Sequence, residues 1–193
     1  MKEIARLTLA KMTPEAADPR ARSAMEGVRK SLGFVPNMYA NMANSPSALE
    51  TYLAGYGLFR SESGFAPAEQ EVVFLTISRE NGCEYCVAAH SMVGEKMSGV
   101  RAADLKALRA GERLTDAKLQ ALSEFTRIMV VSGGKPTPAE VQAFLAAGYS
   151  EQQVLAVILA IAAKTISNYT NHVFHTETDS MFAGYRWEVP KAA

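Results

Sequence analysis

The sequence predicts an all-α protein. Apolar residues recur at spacings of three and four through nearly the whole 193-residue chain, and strand-like alternation rich in Val, Ile and Thr is absent. The elements then follow from the punctuation. Pro14 and Pro19 bracket an entry segment, and Arg20 to Leu32 reads as a helix stopped by Gly33. Phe34-Val35-Pro36-Asn37 is a connector. Ser45 is an N-cap with Pro46 at the first helical position, and that helix runs to about Arg60, with Leu49, Leu53, Tyr56 and Leu58 available for burial. Ala66-Pro67-Ala68-Glu69 opens the next helix, which carries Val72, Val73, Leu75 and Ile77 before Asn81-Gly82 breaks it.

A further helix starts at Cys83-Glu84-Tyr85-Cys86 and continues to about Ser98. Helices follow over about Ala102 to Ala110 and Thr115 to Val131, the latter capped by Thr115-Asp116. Ser132 to Pro136 is a flexible connector, Thr137-Pro138 caps the next helix, and Ser150-Glu151 opens a long helical region reaching toward Met181. The tail from Tyr185 onward is irregular. Shifting the chain by 84 residues places Tyr169 on Tyr85 and the apolar helix 151–163 on helix 67–79, a weak repeat that suggests duplication of a helical hairpin. In the second copy Ser167, Thr170 and Phe174 stand where the first has Cys83, Cys86 and His90, and Leu155 stands on Glu71.

Composition narrows the function classes. Twenty Lys and Arg balance twenty Asp and Glu, so no global field attracts phosphates or anionic lipid, and nucleic acid is not an expected partner. The longest unbroken apolar run, Val154 to Ala163, falls well short of the roughly 20 residues that span a bilayer, and reads as a buried helix. The N-terminal stretch contains acidic residues and lacks a secretory pattern, so the expected setting is a reducing cytoplasm, for one domain over 1–193. In that setting the only two cysteines, three positions apart, point to redox chemistry or metal before a structural staple.

Four residues carry the chemistry when taken together: Glu71, Cys83, Cys86 and His90. Each alone would be ordinary core or surface. On a helix Cys86 and His90 share a face, with Cβ atoms roughly 5–6 Å apart, so an imidazole can reach a thiol. Cys83 and Cys86 inside a regular helix would be too far apart for a disulfide. Cys83 is therefore expected at the helix start, where Gly82 supplies backbone freedom for the sulfurs to meet. Glu71 precedes Asn81 by ten residues and His90 follows it by nine, so an antiparallel hairpin brings them abreast. The result is a Glu to His to Cys relay. Two arguments bear on which sulfur reacts first. Sharing a face with the His90 base favours Cys86 as the attacking sulfur and Cys83 as the resolving one, whereas a helix N-terminus lowers the pKa of a first cysteine. The first argument is preferred.

Zinc is the competing chemistry, with Cys83, Cys86 and His90 as three ligands and His172 or His175 as a fourth. A third possibility is a binding module without turnover.

Glu71, eleven intervening residues, Cys83-x-x-Cys86, three more and His90 resemble the active-site signature of the alkylhydroperoxidase D-like proteins of the carboxymuconolactone decarboxylase superfamily. The string from Ser78 to His90 is similar to the form seen in the uncharacterised peroxidase-related branch, as are Leu32 to Asn37 and Asn168 to His172, so the likeness covers about residues 30 to 180. The resemblance implies an all-α fold of helical hairpins and assembly into a homotrimer or homohexamer. It also implies reduction of a peroxide substrate by a thiol, coupled to a dithiol or lipoyl-type reductant, with no cofactor and no metal. Carried over by position, Cys86 is the thiol that attacks peroxide, Cys83 resolves, and His90 with Glu71 moves the proton. Tyr85 stands where the founding alkylhydroperoxidase can have a histidine, and its phenol remains able to donate a hydrogen bond. Family decarboxylases that act on carboxymuconolactone generally lack this dithiol, so the superfamily name does not set the expected activity.

A second polar cluster, Asn168, Tyr169, Asn171, His172 and His175, forms i,i+4 pairs within an otherwise apolar segment. It reads as a satisfied buried network at a hairpin or subunit contact; the sharper alternative puts His172 at the rim of the thiol pocket, contributed by a neighbouring subunit, as an accessory. The methionines are scattered and read as core or interface filler.

Overall fold

The computed structural model describes residues 4–190. Residues 1–3 and the 191–193 end of the expected irregular tail, both inside the 1–193 domain expectation, lie outside the described residues. Nine α-helices and one 3-10 helix make up the described chain, and no strand occurs among the described residues. The helices are α1 (Pro19–Leu32), α2 (Asn37–Met42), α3 (Pro46–Glu62), α4 (Pro67–Glu80) and α5 (Glu84–Lys96), then α6 (Ala102–Ala110), α7 (Ala117–Val131), α8 (Pro138–Ala146) and α9 (Glu151–Phe174). The 3-10 helix is Ser180–Tyr185.

Local chemistry explains most boundaries. Asp18 accepts the Arg20 amide at the start of α1, and Gly33, at φ 82°, closes it in the left-handed conformation. Asp116 accepts the amides of Lys118 and Leu119 at α7, so the cap is Asp116 alone; the Thr115 hydroxyl instead donates to Asp104. Thr137 with Glu140 and Ser150 with Gln153 close reciprocal capping boxes on α8 and α9. Ser45 occupies the N-cap of α3 but makes no side-chain cap bond, leaving Pro46 as the starting signal.

Four expectations change. The connector after Gly33 runs into the six-residue α2, which packs on α3 and α9 and owes its existence to that packing rather than to propensity. Leu58 is exposed, because the inward face of α3 is set by Leu49, Tyr52, Tyr56 and Phe59, and position 58 falls off that stripe. The last helix stops at Phe174 instead of reaching toward Met181, closed by His175 at φ 48°. Finally, an 84-residue shift of the α4 to α5 hairpin falls on the single uninterrupted α9, not on a second hairpin.

Helix α4 is the hub, packed against α5, α7, α9 and α6. Its side chains from Glu69 to Ser78 are all buried. One apolar cluster joins Val72, Val73, Phe74 and Ile77 to Phe125, Phe144 and Val157, and a second joins α1, α2 and α3 to the cysteine end of α5. The thiols lie in the second cluster while Val87, on the other side of α5, belongs to the first. Helix α9 is long and apolar enough to cross a membrane by length and composition alone, yet it packs on α3 and α4 and buries Lys164, Ser167, Asn168 and Asn171.

Candidate active site

The Asn81-Gly82 turn places the dithiol. Gly82 sits at φ 66°, which a side chain would strain, and the Cys83 amide donates back to the Ser78 carbonyl. Cys83 becomes the N-cap of α5 with an extended backbone, and Cys86 lies within the first turn of the helix. Both cysteines are free and buried.

The same turn sets α4 and α5 antiparallel, so Glu71 meets His90 with Oε2 2.8 Å from Nδ1. Both side chains are buried. That contact fixes Nδ1–H toward the carboxylate and leaves Nε2 as the free basic nitrogen. Burial and the nearby Lys164 charge hold the His90 pKa below its ordinary value against the pull of Glu71, so the imidazole is neutral near pH 7. The Glu71 carboxyl is opposed by burial, but His90 and Arg60 outweigh it and hold its pKa low. Arg60 supplies the second clamp, with its guanidinium 2.5 Å from Glu71 Oε1. It also donates to Tyr56 and Gln70 and lies over the rings of Tyr56 and Phe74.

Helix α9 closes the site from the other side. The Asn171 amide donates to both sulfurs, at 3.3 Å to Cys86 and 3.6 Å to Cys83. The Cys86 Sγ lies 4.0 Å from the Ser167 hydroxyl, one turn earlier on the same face. Lys164 precedes Ser167 by three residues, is completely buried, and lines the cavity alongside Cys86. Burial raises the Cys83 thiol, and its bond to Cys86 raises it further. Burial also opposes ionisation of Cys86, but the hydrogen bond from Cys83 and the charge of Lys164 outweigh it and bring that thiol well below its ordinary value. The N-terminal position therefore does not make Cys83 the more acidic sulfur, because the cation and the donors converge on Cys86.

Cys86, His90 and Lys164 open on a cavity of about 300 Å³ whose wall is largely aromatic and thioether: Tyr39, Tyr52, Tyr56, Phe34, Met38 and Met92 are among its lining. Tyr85 lines it too, but its hydroxyl is engaged by Asp179 at 2.5 Å, so the phenol is not a donor to the thiols. Burial and that carboxylate push the Tyr85 pKa up.

Two alternative readings look different in the fold. His172 lies off the cavity lining of its own chain, which leaves the neighbouring-subunit reading standing; it stacks on Tyr169 at 6.2 Å between centroids, and its Nε2 is buried without a partner. The four-ligand zinc set does not assemble either. His175 closes α9 and bonds to the Ile4 carbonyl, and among the described residues no three His, Cys, Asp or Glu side chains converge as a metal site.

Residues that sequence reasoning missed are Arg60, Lys164, Ser167 and the site role of Asn171. A signal existed for the α9 trio: Lys164 is the first charge after the apolar run 154–163, and 164, 167 and 171 share one helical face.

The carboxymuconolactone decarboxylase family model matches residues 46–127, from the start of α3 into α7. A comparison with curated protein sequences found no match. Among solved structures, an uncharacterized peroxidase-related protein from Ralstonia eutropha JMP134, described as an alkylhydroperoxidase AhpD core, superimposes with a TM-score of 0.80 at 18% identity over 94% of this chain and 96% of that one. An uncharacterized peroxidase-related protein from Silicibacter sp. TM1040 gives 0.75 at 20% identity, covering 95% and 96%. A cysteine-to-alanine variant of the debrominase Bmp8, in complex with 2,3,4-tribromopyrrole, gives 0.75 at 14% identity, covering 95% and 97%. With the helices in the same arrangement as in these structures, the chain has the alkylhydroperoxidase D-like fold, and over residues 46–127, which include the dithiol hairpin, it is similar to the carboxymuconolactone decarboxylase family.

Proposed function

We propose that the protein is a thiol-dependent peroxidase that reduces a hydroperoxide through a Cys83/Cys86 dithiol to disulfide cycle. The observation that carries this reading is the pair of free, buried sulfurs held together by Asn171 beside a neutral His90 already bonded to Glu71.

In the first step the Cys86 thiolate attacks the terminal oxygen of the hydroperoxide. An S–O bond forms, the O–O bond breaks, and the alkoxide takes the proton that His90 Nε2 removed from the thiol. The Cys83 sulfur then attacks Cys86 Sγ, the S–S bond forms, and the sulfenic oxygen leaves as water with the Cys83 proton. A dithiol or lipoyl-type reductant restores both thiols by exchange and is itself oxidised to a disulfide. Burial of both sulfurs favours this short internal cycle over reaction with large thiol partners.

The remaining partner readings belong to the same proposal: a cytoplasmic homotrimer or homohexamer without nucleic acid or membrane contacts. Support for assembly comes from the outer face of α9, where Leu155, Ile158 and Tyr169 are exposed at helical spacing. Sedimentation at micromolar concentration would show an oligomer, and a monomer would remove that part.

The debrominase in the same fold group makes reductive dehalogenation the second reading, and the aromatic wall of the cavity favours it. Mild peroxide treatment followed by intact mass tests the first reading. A reversible loss of about 2 Da and dithiol-dependent peroxide consumption are expected. Disulfide formation without turnover of any peroxide, alongside halide release from a bromopyrrole, would replace it with the second.

A further inference from the structure

We propose that one face of α9, formed by Lys164, Ser167 and Asn171, is a built anion clamp for Cys86, with the Lys164 ammonium as the resident counter-ion of its thiolate. The proposal rests on Cys86 as the attacking sulfur.

A buried lysine needs an account of its charge. Lys164 is completely buried, and Nζ has no hydrogen-bond partner among the described residues. The carboxylate nearest the site is already committed: Glu71 gives Oε2 to His90 and Oε1 to Arg60. That cluster is internally neutral, one carboxylate facing one guanidinium and an uncharged imidazole. Lys164 is left with the Phe74 ring, 5.5 Å from its centroid, and the sulfur side of the cavity it lines with Cys86.

The other two members have the chemistry of anion binding. Asn171 turns its amide donor, not its carbonyl, to the sulfurs, and its Oδ1 remains buried without a partner. Leaving an acceptor unsatisfied costs roughly 1–3 kcal/mol, which a charged sulfur on the donor side offsets. Ser167 donates to the Lys164 carbonyl when Cys86 is a thiol and is free to turn its hydroxyl toward the sulfur when the proton is gone. The spacing of 164, 167 and 171 puts all three on one stripe of a single helix, so they move as one unit.

The titratable groups facing Cys86 from every packed element are few. Cys83 and His90 come from its own hairpin, Tyr39 from α2, Tyr52 and Tyr56 from α3, and Lys164 from α9; Tyr85 is held by Asp179. Burial raises all three cavity phenols, so none supplies negative charge near neutrality. Lys164 is the lone full positive charge among those neighbours.

The test reads Cys86 alone in the Cys83→Ser background, as the rate of alkylation by iodoacetamide against pH, where the sulfur forms a bond to carbon and iodide leaves. Lys164→Met should move the alkylation midpoint up by about one pH unit or more, which slows alkylation about tenfold or more at pH values below the parent's midpoint. Lys164→Arg should restore most of the rate. Below the Cys86 midpoint, where the ammonium has no anion beside it, the methionine variant should melt no lower than its parent, whereas a purely structural lysine would lower the melting temperature there and leave the pH profile alone. An unchanged midpoint in folded Lys164→Met overturns the clamp, and Lys164→Gln carries the same reading should the methionine variant not fold. Alkylation needs no peroxide, so a Lys164-dependent profile without peroxide turnover would sink the proposed reaction and leave the clamp standing.

Discussion

The two helices that meet at the sulfurs solve opposite electrostatic problems. On the α4/α5 side a buried carboxylate, Glu71, is over-supplied: Arg60 takes one oxygen and His90 the other, and the charges cancel locally. On the α9 side a buried ammonium, Lys164, has no carboxylate at all. The first arrangement fixes geometry. It holds one imidazole tautomer through the Nδ1 contact, while burial and the Lys164 charge keep that ring neutral near pH 7 against the pull of Glu71. The second creates a field, uncompensated until the sulfur ionises. Proton handling and charge stabilisation, merged in a simple relay, are thereby divided between two helices.

Substitutions on the two sides should separate these roles. The largest expected effect is from Cys86→Ser, which should abolish peroxide turnover while leaving the helical circular-dichroism spectrum intact. Glu71→Gln comes next. It frees His90 and leaves Arg60 buried without its anion, so stability should drop by roughly 3–5 kcal/mol in urea titrations. Stopped-flow measurement should show the first oxidation slower on the order of 10²-fold. If Glu71→Gln instead shifted the Cys86 alkylation midpoint as far as Lys164→Met does, the division between the two helices would be gone.

The pH dependence sharpens the same contrast. Cys86 is held well below the ordinary thiol range, so its thiolate is complete above that lowered value and is lost as pH falls through it. Its alkylation in Cys83→Ser should therefore reach its plateau at a lower pH than that of an ordinary thiol, which still gains reactivity through the range where Cys86 is already level. Stability should move in the acid direction. Folded His90 and Glu71 both bind protons less readily than in the unfolded chain, so the unfolded state takes up more protons as pH falls. Unfolding free energy should decline from about pH 6.5 downward, most steeply once Glu71 is titrated. The smallest effect is expected from Tyr85→Phe. It removes the bond to Asp179, which also accepts from the Asn37 amide, and should cost about 1–2 kcal/mol in a melt with less than a threefold change in the first oxidation.

The same contrast explains what the sequence made legible. The α4 to α5 hairpin is local: a turn at Asn81-Gly82 and counting along two helices suffice to place Glu71 beside His90 and Cys83 at a helix start, as found. Arg60 and Lys164 are brought to the site by packing of α3 and α9 against α4, and no spacing rule joins residues 60, 86 and 164. Helix α9 was further disguised by its composition, since a lysine after ten apolar residues looks like the end of a buried stretch rather than its functional centre. Its true end was hidden for another reason: His175 takes the left-handed conformation that usually advertises itself as glycine. Short α2 carries no periodic signal of its own, because six residues give fewer than two turns. The i,i+4 pairs of the 168–175 segment do not all lie on one strip. Asn168 and Asn171 face inward, while His172 sits with Tyr169 on the outer side of the stripe.

The most direct measurement is of which sulfur peroxide oxidises first. Cys83→Ser and Cys86→Ser are each given one equivalent of hydroperoxide, trapped with dimedone and weighed. Cys83→Ser should gain the label through a sulfenic acid on Cys86, the uptake of one oxygen being about 16 Da before trapping, and Cys86→Ser should remain almost unlabelled. Rapid labelling of Cys86→Ser with a silent Cys83→Ser would contradict the assignment, and with it the claim that the Glu71–His90 pair and the α9 face converge on Cys86.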